Sequence, residues 1–588
     1  MKKIVIIVIT GILAGFTSCS DVLDTTPYNK PSSSTMWTTE NFTHMGIAGI
    51  YQALRQAHLI RNSNSFGWFA FDAMSETGQS RDIDPLLNGT INTSNGQFSG
   101  TWQRLYEGIH RANDAIANMP EKSPVSNALK AQYVAEAKFL RALFYYKLNE
   151  LYRGVPIYLE PVEVDECIKG QDSESAVWEQ VIKDLTECIN EPEFPDIDLS
   201  DGKATRGAAY ALRGKTYMQM KQWENAIADF AKVGDCGYEL FQGGYKELFT
   251  EDNERCREMI FSMQNITQSG YGGSQQRYLG SLTSLGENWN NYIPSSKGVD
   301  MYENADGTPF NWDDIIPGYN AMTPSDREVF FLRDTRVNGQ EISSTVTDRV
   351  QGRLNTFSAD VSARYLPEGN EARIRQAYTN RDPRLEMNVI TPYAEFLGVF
   401  QKTSTEVMTV SRWPSISTVD FGDMLTDTQA YFYYLYRKFV VEGNKIPDYN
   451  RGGIDEPLIR YADVILQWAE ALVELNRLPE AAEKVNMIRG RASVNMPPVQ
   501  YADQSELREK VRKERRVELM NEGISFFDDM RWRTWAETKF SEGNGIQHIW
   551  GAIISAYVYQ GDFMYTWPVP ATEVEMNPNL VKTPGWIY

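Results

Sequence analysis

Two stretches far apart in this 588-residue chain repeat one spacing of small and large residues. In the first, Gly214 and Ala226 stand twelve positions apart, with Tyr217 and Phe230 as their bulky companions. The second carries Ala469 and Ala481 at the same step, with Leu472 and Val485 in the large positions. Small residues at that step let two antiparallel helices approach closely, and the large ones fill the space between them. Helical periodicity surrounds the second stretch: Val464, Ile465, Trp468, Leu472 and Leu475 share one face, while Asp463, Gln467, Glu470 and Glu474 point elsewhere. A chain built from such units is constrained to be largely helical, because each helix pair buries its apolar face only by stacking on neighbours.

The G-x₂-Y…A-x₃-F spacing of Gly214, Tyr217, Ala226 and Phe230 matches the core of a tetratricopeptide (TPR) repeat. Further helices follow from apolar periodicity. Phe42, Met45, Ile50 and Leu54 begin one, and Trp102, Tyr106, Ile109, Ala112, Asn113 and Ile116 form another that ends near Pro120. Val134 to Tyr152 reads as a helix stopped by Gly154 and Pro156, and Ala176 to Ile189 as one more. Residues 37–262 are thus expected to be a helical TPR-like part and 456–588 a C-terminal helical part. Between them, 263–455 is rich in Gly, Asn, Ser, Asp and aromatics, with short segments set off by turns. Loops carried on a rigid scaffold are where binding usually sits.

The N-terminus carries an address. Lys2 and Lys3 precede an apolar run from Ile4 to Phe16, the layout of a secretory signal peptide. That run is shorter than the about 20 apolar residues needed to span a bilayer. Phe16-Thr17-Ser18-Cys19 resembles the lipobox of bacterial lipoproteins, which implies cleavage of residues 1–18 and acylation of Cys19. Several acyl chains anchor stably, at about 0.8 kcal/mol per buried CH₂. Residues 19–36 read as a lipidated tether, acidic at Asp21 and Asp24 and then rich in Pro, Ser, Thr and Asn. Acidic residues at that place also resemble the surface-export signal of some Gram-negative outer-membrane lipoproteins.

The formal charge of −20 becomes −22 once Lys2 and Lys3 are removed, which disfavours nucleic acid as a partner. Besides Cys19, Cys167, Cys188, Cys236 and Cys256 are widely spaced, without a C-x-x-C, and leave thiols and a bridge equally open. The four histidines, His44, His58, His110 and His548, form no paired-ligand motif, so no metal or cofactor is expected from them. No G-x-S-x-G, H-E-x-x-H or P-loop is present.

Ordered motifs in the last third resemble the SusD/RagB family of outer-membrane nutrient-binding lipoproteins. They are Arg460-Tyr461-Ala462-Asp463 with Trp468-Ala469-Glu470-Ala471-Leu472, Asn486-Met487-Ile488-Arg489-Gly490-Arg491-Ala492, and Glu514-Arg515-Arg516-Val517-Glu518-Leu519. Glu522-Gly523, Asp528-Asp529-Met530-Arg531-Trp532 and Trp567-Pro568-Val569-Pro570 through Pro584-Gly585-Trp586 continue the match. Upstream, Ala135 to Ala142, Tyr152 to Pro156, Asp306-Gly307 and Arg381-Asp382-Pro383-Arg384 also fit. The resemblance implies a SusD-like fold that is mostly α, a TPR-like helix-pair scaffold with a large loop-rich ligand-facing region, over residues 37–588. It further implies lipid anchoring to the outer membrane, a TonB-dependent, SusC-like transporter as partner, and an oligosaccharide as ligand. Peptide or protein fragments taken up by the same lid are the alternative. A glycoside hydrolase or a TPR-type protein adaptor stand as readings of another class. Glu514, Glu518 and Glu522 lie on one helical stripe and would repel unless Arg515, Arg531 or Arg489 neutralised them, which makes them structural ion pairs.

Sugar rings offer an apolar C–H face to aromatics and hydroxyls to amides and charged groups. Two stretches combine those residue types. Asn62 to Asp84 contains Trp68, Phe71, Asp72 and Arg81; Tyr271 to Trp312 contains Trp289, Asn290, Tyr292 and Trp312. These eight are the candidate ligand-binding residues, set against the plainer expectation that aromatics such as Phe71 fill the core. Replacing Cys19 by Ala is expected to move the protein from the membrane to the soluble fraction. Intact-mass analysis of the wild-type protein should find acyl chains; a chain without them contradicts the lipobox reading.

Overall fold

The computed structural model describes residues 35–58, 68–285, 288–399, 405–416, 422–427, 430–541 and 543–588. Cys19, the expected signal peptide at residues 1–18 and nearly all of the expected tether at 19–36 lie outside them. The described chain opens with helices α1 (Glu40–His58), α2 (Gly96–Lys122), α3 (Asn127–Tyr152) and α4 (Glu174–Ile189). Between α1 and α2 lie a 3₁₀ turn, Trp68–Met74, and the short strand β1 (Gly78–Ser80). Helix α3 starts earlier than its apolar pattern suggests, because Ser126 accepts a hydrogen bond from the Leu129 N–H and caps the helix at 3.2 Å. It stops where expected: Arg153 and Gly154 take positive φ and turn the chain away. Pro120 sits inside the last turn of α2, which ends just beyond it at Lys122.

Helices α5 (Arg206–Gln219) and α6 (Trp223–Asp235) form the first of the pairs read from the sequence. A Cβ on Gly214 would come within 2.5 Å of the Phe230 ring, so only glycine admits that approach. Strand β2 (Met259–Met263), the one-turn helix α7 (Gln275–Leu279) and strand β3 (Tyr292–Pro294) follow. Beyond the middle of the chain, strand β4 (Glu456–Arg460) pairs antiparallel with β2 and leads directly into α8 (Tyr461–Glu474), α9 (Leu478–Arg489), α10 (Gln504–Glu518) and α11 (Ser525–Trp532). The α5–α6 and α8–α9 turns are built alike. Lys221 and Asn476 both adopt positive φ, and the next N–H bonds back to Tyr217 O (2.9 Å) and to Leu472 O (2.8 Å).

Apolar burial falls into three cores. The first joins α1–α6 to β2, α11 and the terminal Trp567 and Trp586. The third lies among α8, α9 and α10. The second fills the Gly- and Asn-rich middle, whose short elements are held by aromatics such as Tyr302, Trp312, Trp413 and Tyr434, and it borrows Tyr245, Val517 and Trp550 from either side. Among the described residues Cys167, Cys188, Cys236 and Cys256 are all free thiols.

Buried charge crosses the boundaries between these cores. Arg460, at the end of β4, is fully buried and donates to Glu258 (2.6 Å), Glu518 (2.9 Å) and Glu522 (2.6 Å). Arg384, from the middle region, reaches Asp382, Glu514 and Glu518 at 2.7, 2.6 and 3.0 Å. Arg489 holds Glu514 and Glu303, Arg491 holds Glu258 and Glu518, and Lys438 holds Glu522. These acidic residues are neutralised as the repulsion argument requires, with two corrections: Glu522 lies in the turn beyond the end of α10 rather than on one helical stripe with Glu514 and Glu518, and the partners differ. Of the three arginines expected to do it, only Arg489 touches any of them. Arg515 pairs with Asp463 and Asp528, and Arg531, which belongs to α11, pairs with Glu470 and Asp528. Burial alone would push the Glu518 carboxyl up, yet Arg491, Arg460 and Arg384 hold it down at about 2.

Removing one member of a buried ion pair strands the others without compensation and costs about 3–5 kcal/mol. Arg460→Ala should therefore lower the melting temperature sharply. Arg477→Ala, whose partner Glu480 is exposed, should leave it nearly unchanged. The contribution of Glu518 is fully present above the ordinary carboxylate pKa of 4.5 and is lost as pH falls from there toward 2. Similar, small losses in both variants would show that the buried network does not hold the fold.

Candidate functional site

The two candidate stretches come together through three residue pairs of sheet. Strand β1 runs antiparallel to β3, with Gly78 opposite Pro294, Gln79 opposite Ile293 and Ser80 opposite Tyr292. Just past the pairing, the Arg81 N–H donates to Asn291 O at 2.7 Å and its guanidinium to Trp289 O at 3.0 Å. Arg81 is also ion-paired with Asp82 at 2.6 Å and with Asp427. Asn290 is buried at positive φ, and its side-chain carbonyl accepts the Asp427 N–H at 2.8 Å, tying a third segment to the corner.

Trp289 is exposed over 36 % of its surface, an uncommon state for so large an apolar side chain. Its backbone is fixed to α7 by a 2.7 Å hydrogen bond from the Trp289 N–H to Arg277 O. The Arg277 guanidinium lies 3.6 Å from the centre of the indole, inside the range of a close cation–π contact. Tyr278 meets the same indole edge-on with ring centres 5.7 Å apart, and Tyr449 stands 5.4 Å from the Arg277 guanidinium. Arg277 also donates to the side-chain carbonyl of Asn450 at 3.3 Å.

The loop carrying Tyr449 and Asn450 is held against the one carrying Tyr271. The Gly273 N–H bonds to Gly452 O at 2.7 Å, and a Cβ on Gly272 would fall 2.4 Å from Arg451 Cα. Only glycine permits that approach. Aromatic faces, amides and guanidinium groups from four segments thus share one surface, the chemistry that sugar rings and hydroxyls require.

The other candidates are placed differently. Phe71 is core: its ring lies 5.4 Å from Phe526 and 5.0 Å from Phe527. Asp72 is buried beside it, accepts the Gly523 N–H at 3.2 Å, and is pushed up to about 7 by burial. Tyr292 is buried within β3. Trp312 is also buried, stacked on Tyr319 at 4.6 Å with its indole N–H on Asp300 at 3.2 Å. These four are buried in the interior, contrary to the expectation that they line a binding surface. The side chain of Trp68 lies outside the described residues.

Arg277, Tyr449 and Asn450 were missed. Tyr449-Asn450-Arg451-Gly452-Gly453 has the same mix of aromatic, amide and glycine that singled out Trp289. Applied to the whole middle region, that composition rule would have found it.

A groove of about 700 Å³ lies between α1 and β2, lined by Ile47, Tyr51, Tyr133, Phe261, Met263 and Tyr271 among others. Its polar groups are largely engaged within the protein. Arg55 donates to Gln264 O, Asn265 Oδ1 and Gly272 O at 2.7–2.8 Å, and the Tyr51 hydroxyl donates to Glu136 at 2.9 Å. That leaves few of these groups for the hydroxyls of a ligand.

The sequence matches the model of the SusD family over residues 257–586 and a model described as starch-binding, associating with outer membrane, over 21–218. A relative from Formosa agariphila, SusD-like protein P25, is 21 % identical over 99 % of this chain and 98 % of its own. Among solved structures, a SusD-like carbohydrate binding protein from Bacteroides fragilis superposes with a TM-score of 0.71 at 24 % identity, covering 93 % of this chain and all of that one. A laminarin-binding SusD-like protein superposes with a TM-score of 0.60 at 22 % identity, over 94 % of this chain and all of its own.

Proposed function

The chain belongs to the SusD family, and from that membership we propose that it is a glycan-binding lipoprotein of the outer-membrane surface. In this reading it is anchored through Cys19, captures oligosaccharides, and passes them to a TonB-dependent transporter over which it sits as a lid. The observation that carries the binding step is the half-open Trp289 indole, fixed on a rigid corner and ringed by Arg277, Tyr278, Tyr449 and Asn450. Relatives named for carbohydrate and laminarin binding support the ligand class, and the outer-membrane description of the matching model supports the location. An aromatic platform held by backbone hydrogen bonds needs no ordering when a ring stacks on it, which favours affinity. The role assigned to this surface is capture.

Transfer to a transporter needs a hinged motion of the whole lid rather than chemistry within it. The helix-pair scaffold offers a broad rigid face for such a partner.

Truncating a stacking aromatic weakens binding by about 1–3 kcal/mol at comparable platforms, or roughly 5- to 150-fold. Trp289→Ala should weaken retention on a binding glycan by that amount in affinity gels while shifting the melting temperature little. Unchanged retention would move the site elsewhere. A large drop in melting temperature would make Trp289 a core residue.

A further inference from the structure

Resting on the glycan-binding reading, we propose that the Trp289 surface selects an anionic sugar unit, bearing a uronate carboxylate or a sulfate ester, and that Arg277 recognises the charge. The neighbouring arginines are neutralised within the protein: Arg81 by Asp82 and Asp427, and Arg451 by Asp448 at 2.6 Å. Arg277 has no carboxylate partner among the described residues. Its one side-chain hydrogen bond there is the 3.3 Å contact from Nη1 to Asn450; Nε is buried, which leaves the Nη groups as the donors a ligand could meet.

What holds Arg277 is aromatic. Trp289 at 3.6 Å, Tyr449 at 5.4 Å and Tyr278 at 5.7 Å surround the guanidinium carbon. Stacking engages the face of the guanidinium and fixes its plane, while its donors lie along the edge. A planar fork pre-set in this way matches the paired oxygens of a carboxylate or a sulfate. A neutral sugar would draw on the indole and on Asn450 and leave the cation uncompensated. The formal charge of the whole chain is −20, so an arginine left without a carboxylate beside Trp289, the exposed tryptophan among the described residues, stands out against its background. Bulk repulsion of an anionic ligand is screened within about 8–10 Å at physiological salt, so the local cation decides the contact.

The test uses affinity gels loaded with polygalacturonate, carrageenan, laminarin or poly-L-glutamate, run with the full mature chain and with Arg277→Gln and Arg277→Lys. Melting temperatures of the variants check that each is folded. The wild type should be retained on polygalacturonate or on carrageenan, and which of the two identifies carboxylate or sulfate as the charge. Arg277→Gln should weaken that retention by about tenfold or more, Arg277→Lys should restore part of it, and added salt should weaken it further. Retention on laminarin alone, indifferent to Arg277→Gln, overturns the anionic class and leaves the glycan reading standing. Retention on polygalacturonate or carrageenan that Arg277→Gln does not change removes Arg277 from the recognition. Retention on poly-L-glutamate alone, or on none of the four, overturns the glycan reading and this proposal with it.

Discussion

Arg460 is the contact on which the rest of the molecule depends. It is buried among Glu258, Glu518 and Glu522, which come from the approach to β2, the end of α10 and the turn after it. Burying such charge is costly, and it is offset only when every partner is present with good geometry. The arrangement is therefore intolerant: strand β4, helix α10 and the start of β2 must all arrive for any of them to be stable there. Arg384 extends the demand to the middle region, because it brings the Asp382 turn onto Glu514 and Glu518. A region of short elements, which could not order itself by helix propensity, is thereby fixed to a helical frame.

That fixation matters for the surface around Trp289. The indole is carried by loops, yet its backbone bonds to α7, its neighbour Arg81 leaves a paired strand, and Asn290 ties in the segment at Asp427. The second core of aromatics lies beneath. These contacts tie the described part of the loop to the scaffold. The molecule thus separates two uses of its many aromatic rings. Most are spent inside, in contacts such as Trp312 on Tyr319 or Phe71 on Phe526, and a few are kept at the surface beside guanidinium and amide groups.

The helical part of this division was legible in the sequence because helices repeat. Gly214 and Phe230, or Ala469 and Val485, announce a helix pair by spacing alone, and the turns at Lys221 and Asn476 follow. The acidic cluster of Glu514, Glu518 and Glu522 was equally readable as structural, since like charges close together require partners, although Glu522 falls in the turn beyond α10. Of the arginines that supply them only Arg489 was legible, because Arg384, Arg460 and Arg491 arrive from distant segments that no periodicity links to α10. The candidate site was half legible for the same reason. Composition located Trp289 and Arg81, but it could not distinguish an exposed ring from Trp312 or Tyr292, whose burial is set by the second core. Nor could it foresee that three residue pairs between β1 and β3 would join the two stretches, or that Arg277 and Tyr449 would close around the indole.

The central claim is that a ligand lands on the rigid corner around Trp289, and hydrogen–deuterium exchange of the full mature chain with and without a retained oligosaccharide tests it most directly. The account predicts added protection confined to amides near 271–291 and 448–453, with a smaller effect around Arg81 and little change in α1 or β2. Protection concentrated instead in α1 and β2, along the groove lined by Tyr51 and Phe261, with none near Trp289, would contradict it.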